Sequence, residues 1–239
     1  MLIGRTGTKA PGAGTFMSAC AVALAGGLLA GGASAATAPR LVPDWKQSHL
    51  EEGGDATVRS LYRLAICLRL QKRQAAEALL ATAPGSAQEK AALRAAIPSG
   101  RTECPIRNSK IVIRSAILLR GAIAEAIYNG EGFKPRSGSA LPMTEDLQPS
   151  NERPEFIVAR RVARCSVQRE PRLAHDVLKW NIGAVGEGRA LRALKPTFLG
   201  CLPAGERLLI SRLNMRALIA EELYRASVTF KESFANAKG

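Results

Sequence analysis

The sequence is poor in the residues and motifs on which catalysis and metal binding usually depend. It has two histidines, His49 and His175, in 239 residues. No two of its five cysteines lie two to four residues apart, which is the usual spacing of ligands in a structural zinc site. The Gly-x-Ser-x-Gly and His-Glu-x-x-His signatures of hydrolases and metalloproteases do not occur. We therefore expect no cofactor and no metal ion, and enzyme activity has no positive support.

Acidic residues are missing altogether from the first part of the chain. No acid precedes Asp44, whereas Arg5 and Lys9 lie ahead of the apolar stretch 17–30 and of Ala33-Ser34-Ala35. This order is typical of a secretory signal peptide that is cleaved after an A-x-A site. The apolar stretch is short for a transmembrane span, although an uncleaved anchor is the alternative. We expect a mature protein that is periplasmic or secreted and has no transmembrane segment.

Acids are also outnumbered over the whole chain, which has 34 Lys and Arg against 20 Asp and Glu. Removal of the signal would leave a net charge of +12. Such a charge favours acidic partners. Because nucleic acid is not expected outside the cytoplasm, the expected partner is an unknown protein or an anionic component of the cell envelope. Arginine exceeds lysine by 24 to 10, so composition bias in a GC-rich genome is another explanation of the charge.

Two segments of the chain share a set of residues in the same order. Selected residues between Arg63 and Pro98, among them Cys67 and the run Ala92-Leu93-Arg94-Ala95, recur 98 positions later, and the motif Arg-x-x-Ile-Ala-Glu-x-x-Tyr at 120–128 recurs 96 positions later. Self-similarity of this kind indicates a tandem duplication. The predicted organisation is a signal peptide (1–35), an irregular lead-in (36–56), repeat 1 (57–128), a Pro/Gly-rich linker (129–154), repeat 2 (155–226) and a C-terminal tail (227–239).

Both repeats show helical spacing of apolar residues, and no run alternates with the period of a strand. Four helices are predicted in each repeat, at about 57–70, 73–82, 86–97 and the end of repeat 1, and at the equivalent positions of repeat 2. The predicted fold is all-α, with a duplicated four-helix, disulfide-closed unit packed with pseudo-two-fold symmetry. Two separate units joined by the linker are the alternative.

The four cysteines that follow the signal favour two disulfides in an oxidising compartment. Each repeat contains one pair, so Cys67–Cys104 and Cys165–Cys201 are the simplest pairing. A bridge of this loop length stabilises a small unit by about 4 kcal/mol in the chain-entropy description. Reduced thiols or a metal site are the alternatives.

Residues that both repeats retain form the strongest polar pattern. Glu125 and Tyr128 lie three positions apart on one predicted helix face, and Glu221 and Tyr224 repeat the arrangement. The arginines that could pair with these glutamates are Arg63, Arg94, Arg161 and Arg192. We expect ion pairs that fix helix packing inside each unit, joined by the tyrosine hydroxyls. Twin polar pockets are the alternative.

Residues that differ between the repeats are the better place to look for a function. Repeat 2 has Trp180 and a glycine-rich segment at 183–188, where repeat 1 has Ala83-Pro84-Gly85. The glycines do not follow a strand, so a flexible loop is expected rather than a phosphate-binding one. His175 corresponds to Glu77 and is expected at the surface. Any site should lie at these differences, in the groove between the repeats, or in the linker.

Several segments resemble a known group of proteins. They are Arg161-Val162-Ala163-Arg164-Cys165, Ala190-Leu191-Arg192-Ala193, and Cys201-Leu202-Pro203-Ala204-Gly205 leading to Ile219-Ala220-Glu221. Together they resemble uncharacterised secreted two-repeat helical proteins of sphingomonad-type Alphaproteobacteria, a resemblance that implies no activity. The turn at 201–205 with its apolar helix is also similar to part of the small periplasmic immunity proteins.

Three hypotheses for the function remain. The first is an exported, non-catalytic protein that binds a macromolecular partner. The second is an inhibitor or immunity-like protein that binds a toxic enzyme. The third is an unrecognised enzyme, which predicts a deep pocket that gathers ionisable groups such as Glu221, Arg192 and His175.

Overall fold

Every regular element in the described part of the chain is an α-helix, so the all-α prediction is confirmed. The computed structural model describes residues 52–97, 104, 116–135 and 152–236. Residues 52–135 are called the first half below, and residues 152–236 the second half. The helices are α1 (Glu52–Gln71), α2 (Arg73–Leu80), α3 (Ala87–Ala96), α4 (Ala116–Gly130), α5 (Pro154–Arg169), α6 (Pro171–Leu178), α7 (Val185–Ala193), α8 (Lys195–Cys201) and α9 (Arg212–Asn236).

Local sequence explains where several helices begin. The Ser86 side chain caps α3 by accepting a hydrogen bond from the Glu89 amide at 3.0 Å. Pro154 and Pro171 lie in the first turns of α5 and α6, where proline is favourable because its missing N–H would have no helical partner.

Helices α4 and α9 pack against each other at the centre of the molecule. Gly121 faces Ala217, and a Cβ atom on Gly121 would overlap the Ala217 Cα and Cβ atoms and lie 2.6 Å from its carbonyl oxygen. The backbones of the two helices are therefore in contact.

Each half has a hydrophobic core beside this central pair. In the first half, Leu64 and Leu68 of α1 pack against α2 and α4. In the second half, Val162 and Phe198 belong to the core that α5 to α9 enclose. Tyr224 of α9 packs against both cores, so the central helices join the two halves.

The helix boundaries differ from the predicted ones at three places. The second half has one more short helix, α8, because Pro196 lies in its first turn instead of ending the helical region. Helix α1 begins at Glu52 rather than near residue 57 and continues through Gly53 and Gly54, although glycine costs a helix about 1 kcal/mol per residue. Helix α9 continues into the predicted tail as far as Asn236.

Both predicted disulfides are confirmed. Cys67 is bonded to Cys104 with a Cα–Cα distance of 5.6 Å, and Cys165 to Cys201 with a distance of 5.8 Å. In the second half the bridge ties the end of α8 to α5.

Other predictions concern residues outside the described part of the chain. These are the signal peptide (1–35), most of the lead-in, the start of the last helix of repeat 1 and residues 136–151 of the linker. Among the helices that the structure describes, none is both long enough and apolar enough to cross a membrane.

Candidate functional site

Two buried ion pairs connect the central helices. Arg120 of α4 donates to the Glu221 carboxylate of α9, with an Nη2–Oε1 distance of 2.6 Å. Arg216 of α9 donates to Glu125 of α4, also at 2.6 Å between Nη2 and Oε1. Only 1% of each arginine is exposed. Because the order of the partners is reversed along the two helices, α4 and α9 run antiparallel at this contact.

Each of these arginines also forms hydrogen bonds with two shorter helices, α2 and α3 for Arg120 and α6 and α7 for Arg216. Arg120 Nη1 donates to the Leu79 carbonyl oxygen at 2.8 Å and to Glu89 at 3.2 Å. Arg216 Nη1 donates to the Val177 carbonyl oxygen at 2.9 Å and to Glu187 at 3.2 Å. These bonds satisfy guanidinium hydrogens that would be costly to bury without partners.

The glutamates that receive these second bonds fix the turns ahead of α3 and α7. Glu89 Oε2 accepts from the Gly85 amide, and Glu187 Oε2 accepts from the Gly183 amide, both at 2.8 Å. Gly85 and Gly183 have φ angles of 77° and 78°, which only glycine adopts without strain. The glycine-rich segment of the second half is therefore an anchored turn and the start of α7.

The arginines that we predicted as partners of the motif glutamates are the wrong ones. Arg63, Arg94, Arg161 and Arg192 are all exposed. The partners of Glu125 and Glu221 are instead the arginines of the same motif on the opposite helix. Arg120 and Glu125 are five positions apart and point about 140° apart on α4, so each is directed to a partner outside its own helix. This separation was the signal in the sequence that could have identified the pairing.

Glu221 has the more strongly cationic surroundings of the two glutamates. Besides Arg120, it accepts from Arg160 Nη1 at 3.1 Å and from Arg225 Nη2 at 2.6 Å. Arg160 is bound in turn by Glu152 at 2.7 Å. Burial by itself raises the pKa of Glu221, but the nearby arginines outweigh it and hold the pKa well below its usual value.

Glu125 has one arginine and a tyrosine around it. The Tyr62 hydroxyl of α1 donates to Glu125 Oε2 at 3.0 Å, and Arg216 Nε donates to the same oxygen at 2.9 Å. Burial raises the pKa of Tyr62, and the negative charge of Glu125 raises it further. Tyr62 therefore acts as a neutral donor at physiological pH.

The motif tyrosine Tyr128 contacts a histidine rather than a motif glutamate. Its hydroxyl lies 3.0 Å from His175 Nδ1, and Tyr224 packs against both hydrophobic cores. His175 is thus half-buried against Tyr128, whereas we expected it at the surface. Burial lowers the pKa of His175, with Lys179 contributing, so the ring is neutral at pH 7.

A pocket of about 650 Å³ lies between the halves, on the side of Glu125. One wall is α1, which contributes Tyr62, Ile66 and Arg63 among others. The other wall is the segment 178–182, which begins at the last residue of α6 and includes Trp180. Glu125 and Arg216 also line this cavity, which is called the Trp180 pocket below. Its volume lies in the usual range for ligand-binding clefts, about 300–1,000 Å³.

Two large apolar side chains, Trp180 and Ile66, line this pocket. Trp180 is 48% exposed and Ile66 is 47% exposed. The Trp180 ring lies against the first turn of α7 at Gly186, where a Cβ atom would overlap the ring. The absence of a side chain at 186 therefore makes room for the tryptophan, which the sequence alone did not indicate.

Cationic side chains outnumber acids around the Trp180 pocket. Arg59, Arg63 and Lys179 line it together with Arg216, and Glu125 is the acid among the described lining residues. Arg216 is fully engaged by Glu125, Glu187 and two carbonyl oxygens. Lys179 forms an ion pair with Asp176. Arg63 is an exposed cation on the α1 wall.

The groups predicted by the enzyme hypothesis do not meet in this pocket. Glu221 is fully buried in its arginine cluster, Arg192 is exposed on α7, and His175 binds Tyr128. No cluster of three or more His, Cys, Asp and Glu side chains that could hold a metal ion occurs among the described residues.

The chain matches no protein-family model, no curated protein and no solved structure.

Proposed function

We propose that the protein is exported and non-catalytic, and that it binds a macromolecular partner in the periplasm or cell envelope through the Trp180 pocket. The observation that carries this proposal is an open cleft between the halves with half-exposed Trp180 and Ile66 at its walls. Exposed aromatic surface in a cleft is typical of binding sites. The two disulfides support an oxidising compartment. The resemblance to secreted two-repeat proteins stays a prediction.

We also propose that the two halves arose by tandem duplication and pack about a pseudo-two-fold axis. The buried arginines, their glutamates and the turn glycines make the same bonds in each half, at the sequence offsets of 96 and 98. Gly121 and Ala217 are 96 positions apart and touch each other. A residue that meets its own equivalent lies next to a two-fold axis.

The proposed duplication accounts for the open space beside Glu125. Tyr62 corresponds to Arg160, and Asn129 corresponds to Arg225, at the same offsets. Beside Glu221 the guanidinium groups of Arg160 and Arg225 occupy the space. Beside Glu125 the equivalent positions hold a tyrosine and an asparagine, and the space is open. The site thus lies where the repeats differ.

Photo-crosslinking in the living cell tests the proposed function. The full chain is produced in the bacterium that encodes it, with a benzoylphenylalanine at position 180 in one variant and at position 209 in another. Leu209 is 66% exposed and does not line the pocket, so it controls for chance encounters. We expect a discrete adduct from position 180 in the envelope fraction and none from position 209. No adduct from position 180, or the same adducts from both, would contradict the proposal.

A further inference from the structure

We infer that the Trp180 pocket recognises an acidic segment of a partner protein, in which a carboxylate lies next to a large apolar side chain. This inference rests on the proposed function and specifies the chemistry of its ligand. It follows from the combination of cations and apolar surface in one cleft.

The charges that line the pocket indicate which polar group the ligand carries. Arg63 on the α1 wall and Lys179 on the opposite wall are both exposed, and the carboxylate in the pocket, Glu125, is already neutralised by Arg216. Lys179 is paired with Asp176, so the positive charge of the pocket is greatest at the α1 wall, where Arg59 and Arg63 lie. A ligand cation would therefore meet like charge at this wall, whereas a carboxylate would meet cations. The planar guanidinium of Arg63 suits a carboxylate especially well, because it can donate two parallel hydrogen bonds.

The exposed apolar residues of the pocket indicate that the ligand also carries an apolar group. Trp180 and Ile66 both line the cleft, and each is about half-exposed. Covering such a surface contributes roughly 25 cal/mol for each Å² that is removed from water. A carboxylate alone would leave this contribution unused, so the ligand carries an apolar or aromatic group beside the acid.

Shape favours a protein segment over an anionic membrane. The cations and the tryptophan line a concave cavity of about 650 Å³ between two walls. A flat layer of lipid headgroups cannot fill such a cavity, whereas a few side chains of an extended peptide can.

Selection from a random heptapeptide display library, with the full mature chain as bait, tests this inference. Enriched peptides are then synthesised and titrated into the protein by isothermal titration calorimetry. We expect enrichment of Asp or Glu next to Phe, Trp or Leu, and about tenfold or greater loss of affinity when the acid is replaced by its amide, equivalent to about 1.4 kcal/mol. Enrichment of basic or uncharged peptides, or no enrichment, would overturn the inference.

The matched variants are Arg63→Glu and Arg161→Glu. These arginines are 98 positions apart and both exposed, but only Arg63 lines the pocket. We expect R63E to weaken the acidic peptide about tenfold or more and R161E to change its affinity less than about twofold, with circular dichroism unchanged in both. Equal effects of the two variants would mean a general effect of net charge and would overturn the inference.

Two further titrations test whether the pocket binds other sources of negative charge. Inorganic phosphate and vesicles of phosphatidylglycerol and phosphatidylcholine in equal amounts replace the peptide. Binding of vesicles, lost in W180A, without any selected peptide would point to a membrane surface and overturn the inference. A crosslinked partner that is attached through a segment without acids would overturn the inference and leave the proposed function intact, whereas no crosslink at all contradicts the proposed function itself.

Discussion

Arg120 and Arg216 each neutralise a carboxylate that the other half of the chain supplies. A buried charge is tolerated when its partners offset the loss of hydration. Both arginines meet this condition with a carboxylate on the facing helix, a second carboxylate and carbonyl oxygens. All four residues of these ion pairs belong to the Arg-x-x-Ile-Ala-Glu-x-x-Tyr motif, which therefore supplies contacts that hold the two halves together.

Replacement of Glu221 by Gln should destabilise the protein more than replacement of Glu125. Glu221 is bound by three arginines, whereas Glu125 is bound by one arginine and Tyr62. Loss of one partner from a buried ion pair costs about 3–5 kcal/mol, and we expect E221Q in this range and E125Q below it. Urea denaturation measures both, with E77Q as the control. Glu77 pairs with Arg73 at the surface, so its loss should cost about 0–1 kcal/mol.

The cost of E221Q should depend on pH. Because the pKa of Glu221 is lower in the folded protein, its stabilisation is present above the ordinary carboxyl pKa and is lost as the pH falls through the lowered value. The difference in unfolding free energy between the wild type and E221Q should be constant from about pH 7 to 5 and shrink below about pH 4. A difference that stays constant throughout, or a greater cost for E125Q, would show that the arginine cluster does not set the energetics of Glu221.

Among the elements, α4 and α9 carry the contact between the halves. Both helices have small residues near their middle, such as Gly121 and Ala217. Buried residues lie on nearly every side of each helix there. Such helices derive little stability from an amphipathic pattern and depend on close packing with a neighbour. The contact at Gly121 is the place where this dependence is most direct.

Replacement of Gly121 by Ala should destabilise the protein even though alanine favours helices. A new methyl group would overlap the Ala217 backbone and push the helices apart, and overpacking of this kind costs about 1–3 kcal/mol. Thermal unfolding with circular dichroism measures the change. Gly200→Ala in α8 is the control, because the nearest atom to its new methyl is the flexible end of Arg169 at 3.2 Å. A G121A protein as stable as G200A would rule out the backbone contact.

At the scale of the whole molecule, each half has one hydrophobic core and one disulfide, and α4 and α9 connect the two halves. Each bridge lies within one half, whereas the buried Arg–Glu pairs connect the halves. Since ionic groups buried at a contact lose their partners when it opens, neither half should remain folded when the other unfolds.

Loss of the first disulfide should therefore lower the stability of the entire protein in a single transition. We expect the double variant C67A/C104A to lose about 2–4 kcal/mol, as is usual for a native disulfide. In a Trp45→Phe background, Trp180 fluorescence reports on the second half, and far-UV circular dichroism reports on all helices. The two signals should follow the same urea curve. An early transition in circular dichroism that leaves Trp180 unchanged would mean that the halves unfold independently.

The sequence predicted the features that depend on the local spacing of apolar residues or on the number and placement of cysteines. Helical spacing predicted the all-α class, and one cysteine pair per repeat predicted both disulfides, as the structure confirms. The additional helix α8 was missed, because a proline can end one helix or lie in the first turn of the next. Local sequence alone does not distinguish these two uses.

The tertiary structure alone decided which charges meet and where a pocket remains open. The sequence indicated that the glutamates of the repeated motif matter, but their partners lie on another helix, about 90 to 100 positions away. Long side chains on several helices can reach the same carboxylate, and only the packing of α4 against α9 selects among them. The Trp180 pocket depends in the same way on two walls that are distant in sequence, so its existence follows from packing rather than from pattern.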